Sequence, residues 1–114
     1  MPANSVLLQG TVDILILKTL SWQPMHGYAI SRWIRTQSSE TIDVEGAALY
    51  QALHRLERRK LVKPEWGLSE NNRRAKYYAI TAEGRKVLRA EASTWKSYAA
   101  GVSAILDAAR PGTA

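Results

Sequence analysis

The segment from 46 to 80 constrains the fold more than any other part of the chain. Its first half is periodic, with apolar residues at intervals of three and four, which is typical of a helix with one buried face. These apolar residues are Leu49, Ala52, Leu53 and Leu56. Two strand-like stretches follow, at 61–66 and 76–80, with a polar connection between them. A helix followed directly by a β-hairpin indicates a winged helix-turn-helix.

The same segment holds most of the positive charge. The chain has 16 Lys and Arg against 10 Asp and Glu, a net charge of +6. Between Gly46 and Lys76, eight basic residues stand against three acidic ones, which gives this segment +5. A helix that fits the major groove, beside a basic hairpin that can lie against phosphates, predicts binding to double-stranded DNA. A solvated charged face without a partner is the alternative.

Two further helices are expected before this segment. Apolar residues at helical spacing predict one over about 8–22, which Pro24 ends because proline lacks the backbone donor. After a turn at 25–27, the pattern predicts a second helix over about 27–38. The recognition helix is then predicted over about 45–60.

The wing is predicted to be long and flexible at its tip. Nine residues, 67–75, separate the two strand-like stretches, which exceeds a tight hairpin turn. Pro64 places the first strand at a sheet edge or near a bulge, because it cannot donate to a neighbouring strand.

A long last helix is predicted from an N-cap at Thr81 to about Ala109. Its apolar residues follow a heptad-like pattern, which is typical of a helix that packs along another helix. This seam consists of Leu88, Ala92, Trp95, Ala99, Val102 and Leu106. A helix of this length does not easily fold back onto so small a core, so the seam predicts a homodimer.

The predicted fold class is mainly α with a small β-hairpin. A winged helix-turn-helix domain is expected over 1–80, and a dimerisation helix over 81–110 belongs to the same compact unit. The chain has no cysteine, which excludes disulfides and thiolate metal sites and favours a cytoplasmic location. No stretch suggests a membrane span, a Gly-rich phosphate loop or metal-ligand spacing, so no catalytic residue, metal or cofactor is predicted.

Four stretches, in order, resemble the PadR family of bacterial transcriptional regulators. They are LLQGTVDILILKTL, PMHGYAI, GAALYQALHRLERRKLV and SENNRRAKYYAIT. The resemblance covers about 7–84, and the short C-terminal region is similar to the smaller class with one dimerising helix. It implies a homodimeric winged helix-turn-helix repressor that binds a palindromic operator.

Individual residues carry this resemblance. His26, Gly27 and Tyr28 match the family's turn, and Leu49 with Tyr50 matches its Leu-Tyr pair in the recognition helix. The wing positions that match are Arg73, Arg74, Lys76, Tyr77 and Tyr78. Gln51 stands where the family often has proline, so the operator sequence cannot be transferred from relatives.

The predicted DNA contacts lie on the outer face of the recognition helix and in the wing. They are Ala47, Tyr50, Gln51, His54, Arg55, Arg58, Asn72, Arg73, Arg74 and Lys76. Gln51 can bond adenine bidentately and Ala47 can contact a thymine methyl, whereas Tyr50 and the basic helix residues suit phosphates. Arg73 and Arg74 suit either the minor groove or phosphate. A solvated Gln51, and a Tyr50 packed under the wing, are the alternatives.

Two tryptophans receive different interpretations. Trp95, in the middle of the seam, can stack on a small planar aromatic effector in a dimer, or simply pack in the interface. Trp66 is interpreted as a core or edge filler. A second function hypothesis also stays open: a winged-helix module for protein–protein interaction without specific DNA binding, because fold alone does not fix function.

Overall fold

The computed structural model describes residues 2–111, with side chains from Gly10 onward. This part of the chain folds into four helices and a small three-stranded antiparallel sheet. The elements are α1 (Pro2–Thr19), β1 (Met25–His26), α2 (Gly27–Gln37), α3 (Gly46–Arg58), β2 (Val62–Leu68), β3 (Arg74–Ile80) and α4 (Ala82–Leu106). The mainly α fold, the winged helix-turn-helix and the long last helix are thereby confirmed.

The core forms around the inner face of α3. Its four apolar residues at helical spacing are all buried, each at most 2% exposed, as the periodicity predicts. They pack against α1 and α2, chiefly against Ile16, Leu17, Leu20, Ile30 and Ile34. Because this face of α3 is fixed in the core, its opposite face must point outward.

The first helix is longer at its start and shorter at its end than predicted. It begins at Pro2 instead of Leu8, since proline at the first helical position loses no hydrogen bond. It ends at Thr19 instead of Trp22, where the Ser21 hydroxyl and amide both donate to the Lys18 carbonyl and close a turn. Contacts of α1 with α2, α3 and α4 make it the central helix.

The predicted turn at 25–27 is wrong, because Met25 and His26 form the short strand β1. They pair antiparallel with Tyr78 and Tyr77 of β3, giving the strand order β1-β3-β2. His26 also caps α2, since its Nδ1 accepts a hydrogen bond of 3.2 Å from the Ala29 amide. A two-residue strand pairs only with distant residues, so no local periodicity reveals it.

The hairpin is longer and its tip shorter than predicted. Pairing of β2 with β3 runs from Val62–Ile80 to Leu68–Arg74, which leaves a five-residue tip at 69–73. Two hydrogen bonds close it, from the Ser69 amide to the Arg73 carbonyl and from the Asn72 amide to the Ser69 carbonyl. Asn72 has φ of 60°, which asparagine tolerates better than most residues. Pro64 lies on an edge strand, as predicted.

Helix α4 starts at its predicted cap. The Thr81 hydroxyl oxygen accepts from the Gly84 amide at 3.0 Å, and the hydroxyl also lies 2.8 Å from the Lys60 carbonyl. The helix ends at Leu106, three residues before the predicted Ala109, with Asp107 as its C-cap.

The expectation that α4 stays clear of the core is wrong for its first half. The Trp95 indole N–H donates to the Thr11 hydroxyl of α1 at 3.2 Å, so α1 supports α4 up to this point. The remainder of α4 projects, and the described chain has a long dimension of 66 Å against 28 and 22 Å.

Two glycines in α4 provide a matched test of this packing. At Gly84 an added Cβ would clash with the Leu61 carbonyl and lie 2.8 Å from the Ile80 side chain, whereas nothing lies within 4 Å at Gly101. We expect Gly84→Ala to lower the free energy of unfolding by about 1–3 kcal/mol. Gly101→Ala should raise it by roughly 0.5–1 kcal/mol, because alanine favours helix. Urea unfolding at one protein concentration measures both, and equal effects would contradict this packing.

Candidate nucleic-acid interface

The outer face of α3 is free of the core. The predicted contact residues on this face that are exposed are Ala47, Tyr50, Gln51, His54 and Arg58. Arg58 forms no ion pair with any residue described by the structure, so its guanidinium is available to a partner. This face therefore presents an amide, a methyl group, two ring side chains and a guanidinium to the solvent.

Arg55 is placed differently from its neighbours on α3. Its Nη2 donates to Asp13 Oδ1 at 2.6 Å and its Nε lies 3.5 Å from Oδ2. The Asp13 side chain is only 11% exposed and also lies 3.6 Å from Arg59, which in turn lies 3.9 Å from Glu91. The positive charge of Arg55 is thus paired with Asp13 within the molecule. The four side chains of this ionic cluster link α1, α3 and α4, and they are Asp13, Arg55, Arg59 and Glu91.

Lys76 is also held within the molecule. Its Nζ lies 3.5 Å from Glu57 Oε1, so it attaches the wing to α3. Beside it, burial raises the pKa of the Tyr78 phenol, which therefore stays protonated at neutral pH. The direct DNA contact predicted for Lys76 would compete with this ion pair.

The wing tip and the start of β3 expose polar and basic side chains. Asn72, Arg73 and Arg74 are exposed. The Arg74 guanidinium lies 4.4 Å from the centre of the Trp66 ring. Trp66 itself is 58% exposed, so it is not a core residue, although it does lie on an edge strand, β2. An aromatic residue in a strand packs inward or outward according to register, which composition alone does not give.

A groove of about 620 Å³ separates the wing from the helix-turn-helix. Aromatic residues line much of it, namely His26, Tyr28, Tyr50 and Tyr78. Tyr50 packs its ring on Gly27, where a Cβ would lie 2.5 Å from the tyrosine hydroxyl, yet the residue remains 52% exposed. Tyr50 thus packs against the start of α2 with half of its side chain exposed, and its contact with phosphate stays a prediction.

Tyr28 is a surface residue that the sequence-based list of contacts omits. It is 66% exposed at the start of α2, and it lines this groove. The stretch PMHGYAI contained the signal, since an aromatic residue at a helix start beside the recognition helix has no core to enter.

The seam residues of α4 divide into two groups. Leu88, Ala92 and Ala99 are half-buried, and Trp95 is 44% exposed against α1. Farther along, Val102 is 39% and Leu106 77% exposed, and Tyr98 and Ile105 beside them are also exposed. The described chain leaves this apolar surface at the end of α4 uncovered.

Other kinds of site lack support in the described residues. Over 2–111, no three His, Cys, Asp or Glu side chains are grouped so that they could hold a metal ion. None of the helices described is both long and apolar enough to cross a membrane.

We expect the Asp13 carboxylate to contribute more to the free energy of unfolding than an exposed ion pair does. Asp13→Asn removes the charge between two guanidiniums, and we expect the free energy of unfolding to fall by about 1–2 kcal/mol. The control is Glu40→Gln, whose partner Arg35 is 53% and whose own side chain is 75% exposed. It should cost at most about 0.5 kcal/mol. Equal losses in urea unfolding would show that Asp13 has no special role.

Comparison with known proteins agrees with this architecture. Residues 16–90 match the family model described as Transcriptional regulator PadR-like family. A transcriptional regulator from Clostridium thermocellum is 32% identical, with a TM-score of 0.78, over 87% of this chain and 96% of that one. A PadR family transcriptional regulator from Eggerthella lenta is 32% identical, with a TM-score of 0.72, over 90% and 88%.

A third similar structure is a PadR family transcription regulator from Clostridium difficile. It is 27% identical, with a TM-score of 0.70, and the match covers 83% of this chain and 97% of that one. Each of these matches covers more than four fifths of both chains, so the likeness is not confined to one element.

Proposed function

The chain belongs to the PadR-like family of transcriptional regulators, and from this premise we propose that it is a homodimeric repressor of a palindromic operator. Members of this family are DNA-binding regulators and not enzymes. The observation that carries the proposal is the outer face of α3, which stays exposed beside a wing with two exposed arginines, Arg73 and Arg74. Exposed basic residues on both α3 and the wing support a shared DNA-binding surface.

The proposal gives the residues of α3 two kinds of role. Gln51 reads an adenine and Ala47 contacts a thymine methyl in the major groove. Tyr50, His54 and Arg58 bind phosphates, which fix the register of the protein on the duplex. Their exposure on a helix whose other face is buried supports these roles.

The wing and the groove beside it extend this surface. Asn72, Arg73 and Arg74 contact the duplex next to the major groove, and the exposed phenol of Tyr28 adds a phosphate donor. Arg55 does not contact DNA itself. Its ion pair with Asp13 holds α3 in the position from which the other residues bind. Lys76 keeps its ion pair with Glu57 and also lies close enough to the duplex to attract the DNA backbone.

The homodimer is proposed to form through the last turns of α4. The uncovered apolar side chains of Tyr98, Val102, Ile105 and Leu106 support it, because a contiguous apolar surface marks an interface. Two subunits related by a two-fold axis would present their α3 helices to half-sites about 10 base pairs apart.

A small planar aromatic effector is part of the proposal. Trp95 is 44% exposed at the junction of α1 and α4, so part of its side chain is accessible to a ligand. An effector that stacks there releases the operator only if it binds one arrangement of the two helices more tightly than the other.

The test is equilibrium binding to duplexes selected from genomic DNA, over a range of salt concentrations. A repressor should show a steep loss of affinity with salt together with a sequence preference. Weak binding that does not respond to salt would instead support a module for protein–protein interaction.

Two variants of α3 separate positioning from reading. Arg58→Ala should reduce the slope of log K against log salt by about one unit, equally on all sequences. Gln51→Ala should keep the slope but lose about 1–3 kcal/mol of discrimination at one base pair. Arg89→Ala, an exposed cation on α4, is the control and should change neither. An unaltered sequence preference in Gln51→Ala would remove base reading from the proposal.

The interface has its own test. Val102→Asp places a carboxylate in the apolar seam, and we expect it to convert the dimer to a monomer because the charge would have to be buried. Ser97→Asp adds the same charge at an exposed position on the other side of α4 and should leave the dimer intact. Sedimentation equilibrium gives the masses. A dimeric Val102→Asp, or a monomeric wild type, would contradict an interface at this seam.

A further inference from the structure

We propose that Trp66 positions Arg74 as a minor-groove contact, so that the wing distinguishes A·T from G·C beside the major-groove site. The inference rests on the proposed DNA binding, and it adds the positioning role of Trp66 and the choice of the minor groove over a phosphate for Arg74. Arg74 is the residue that touches DNA, and Trp66 acts through it.

The first observation is an exposed apolar patch on the hairpin. Trp66 is 58% and Leu68 66% exposed, although both are large apolar residues. The register pairs Trp66 with Lys76 and Leu68 with Arg74, so these four side chains share one face of the hairpin. Apolar and cationic groups are thus combined in one patch.

The second observation is the direction in which this face points. Tyr78 lies two residues beyond Lys76 on the same face and is buried, while Lys76 reaches Glu57 of α3 at 3.5 Å. The patch is therefore on the α3 side of the wing. A duplex held against the outer face of α3 would meet this side of the hairpin first.

The third observation is the arrangement of Arg74. Its guanidinium lies 4.4 Å from the centre of the Trp66 ring, within the range of a cation–π contact. Arg74 forms no ion pair with a residue that the structure describes. The indole thus limits the motion of a flexible side chain before binding, while the donors at the guanidinium edge stay free.

The chemistry of the patch suits the minor groove better than a phosphate. A phosphate contact would use Arg74 and leave Trp66 and Leu68 in water. In the minor groove, sugars form the walls, adenine and thymine present only acceptors, and A·T-rich tracts have a negative potential that attracts arginine. Guanine adds an amino group there, which opposes a guanidinium donor.

Base analogues make the minor groove testable. Inosine lacks the minor-groove amino group of guanine but keeps its major-groove acceptors, so an I·C pair looks like A·T in one groove and G·C in the other. At base pairs beneath the wing, we expect A·T→G·C to weaken binding about fivefold or more. The I·C duplex should recover most of the lost affinity.

Variants assign this preference to the two residues. Arg74→Ala should abolish the difference between the G·C and I·C duplexes, and Arg74→Lys should weaken it because an ammonium lacks the planar edge. Trp66→Ala should weaken binding about two- to fivefold and reduce the same difference. Its salt slope should stay unchanged, because no charge is removed. Trp66→Phe should restore both affinity and preference.

Trp22 is the matched control for Trp66. It is 59% exposed and carries Lys18 at 4.7 Å from its ring centre, but it lies outside the wing. Trp22→Phe and Trp22→Ala should leave the response to inosine unchanged. Thermal unfolding of every variant separates loss of fold from loss of contact.

The outcomes separate this inference from the function on which it rests. If binding is specific and salt-dependent but I·C behaves as G·C, or Arg74→Ala keeps the preference, the wing does not read the minor groove and the inference fails alone. If no duplex gives salt-dependent binding by the wild type, the proposed function fails as well. A preference unaffected by Trp66→Ala would end the positioning role.

Discussion

Burial of one face of α3 is the constraint on which the rest of this structure depends. Leu49, Leu53 and Leu56 enter a core made by α1 and α2, and no rotation of α3 can expose another face without removing them from it. Burying three leucines stabilises the fold by several kcal/mol, on the order of 2 kcal/mol each. The exposed set of side chains is therefore a consequence of packing, and it is this set that a duplex would meet.

A buried carboxylate complements this apolar anchor. Asp13, on the central helix, accepts from Arg55 and lies near Arg59, whose other contact is Glu91 on α4. Apolar packing resists rotation of α3 about its axis, but it resists sliding of the helix along that axis less strongly. The directional hydrogen bond from Arg55 to Asp13 opposes this sliding. The helix proposed to read bases and the helix proposed to join two subunits thus share one set of ionic contacts.

Sequence reasoning predicted those features that are periodic or capped. The buried face of α3, the hairpin, the edge position of Pro64 and the cap at Thr81 each follow from a local pattern. The features it missed depend on residues far apart in the chain. β1 exists only through pairing with Tyr77 and Tyr78, and the Asp13–Arg55 bond spans 42 residues. The exposure of Trp66 follows from the register of the hairpin, which the composition of a strand does not contain.

The central claim is that two copies of the α3 surface meet one duplex together. Hydroxyl-radical footprinting of a selected operator tests it most directly, because it reports which sugars are covered. The account predicts two protected patches on one side of the helix, centred about 10 base pairs apart and symmetric about the middle of the site. A single patch, or protection without a two-fold pattern, would contradict it.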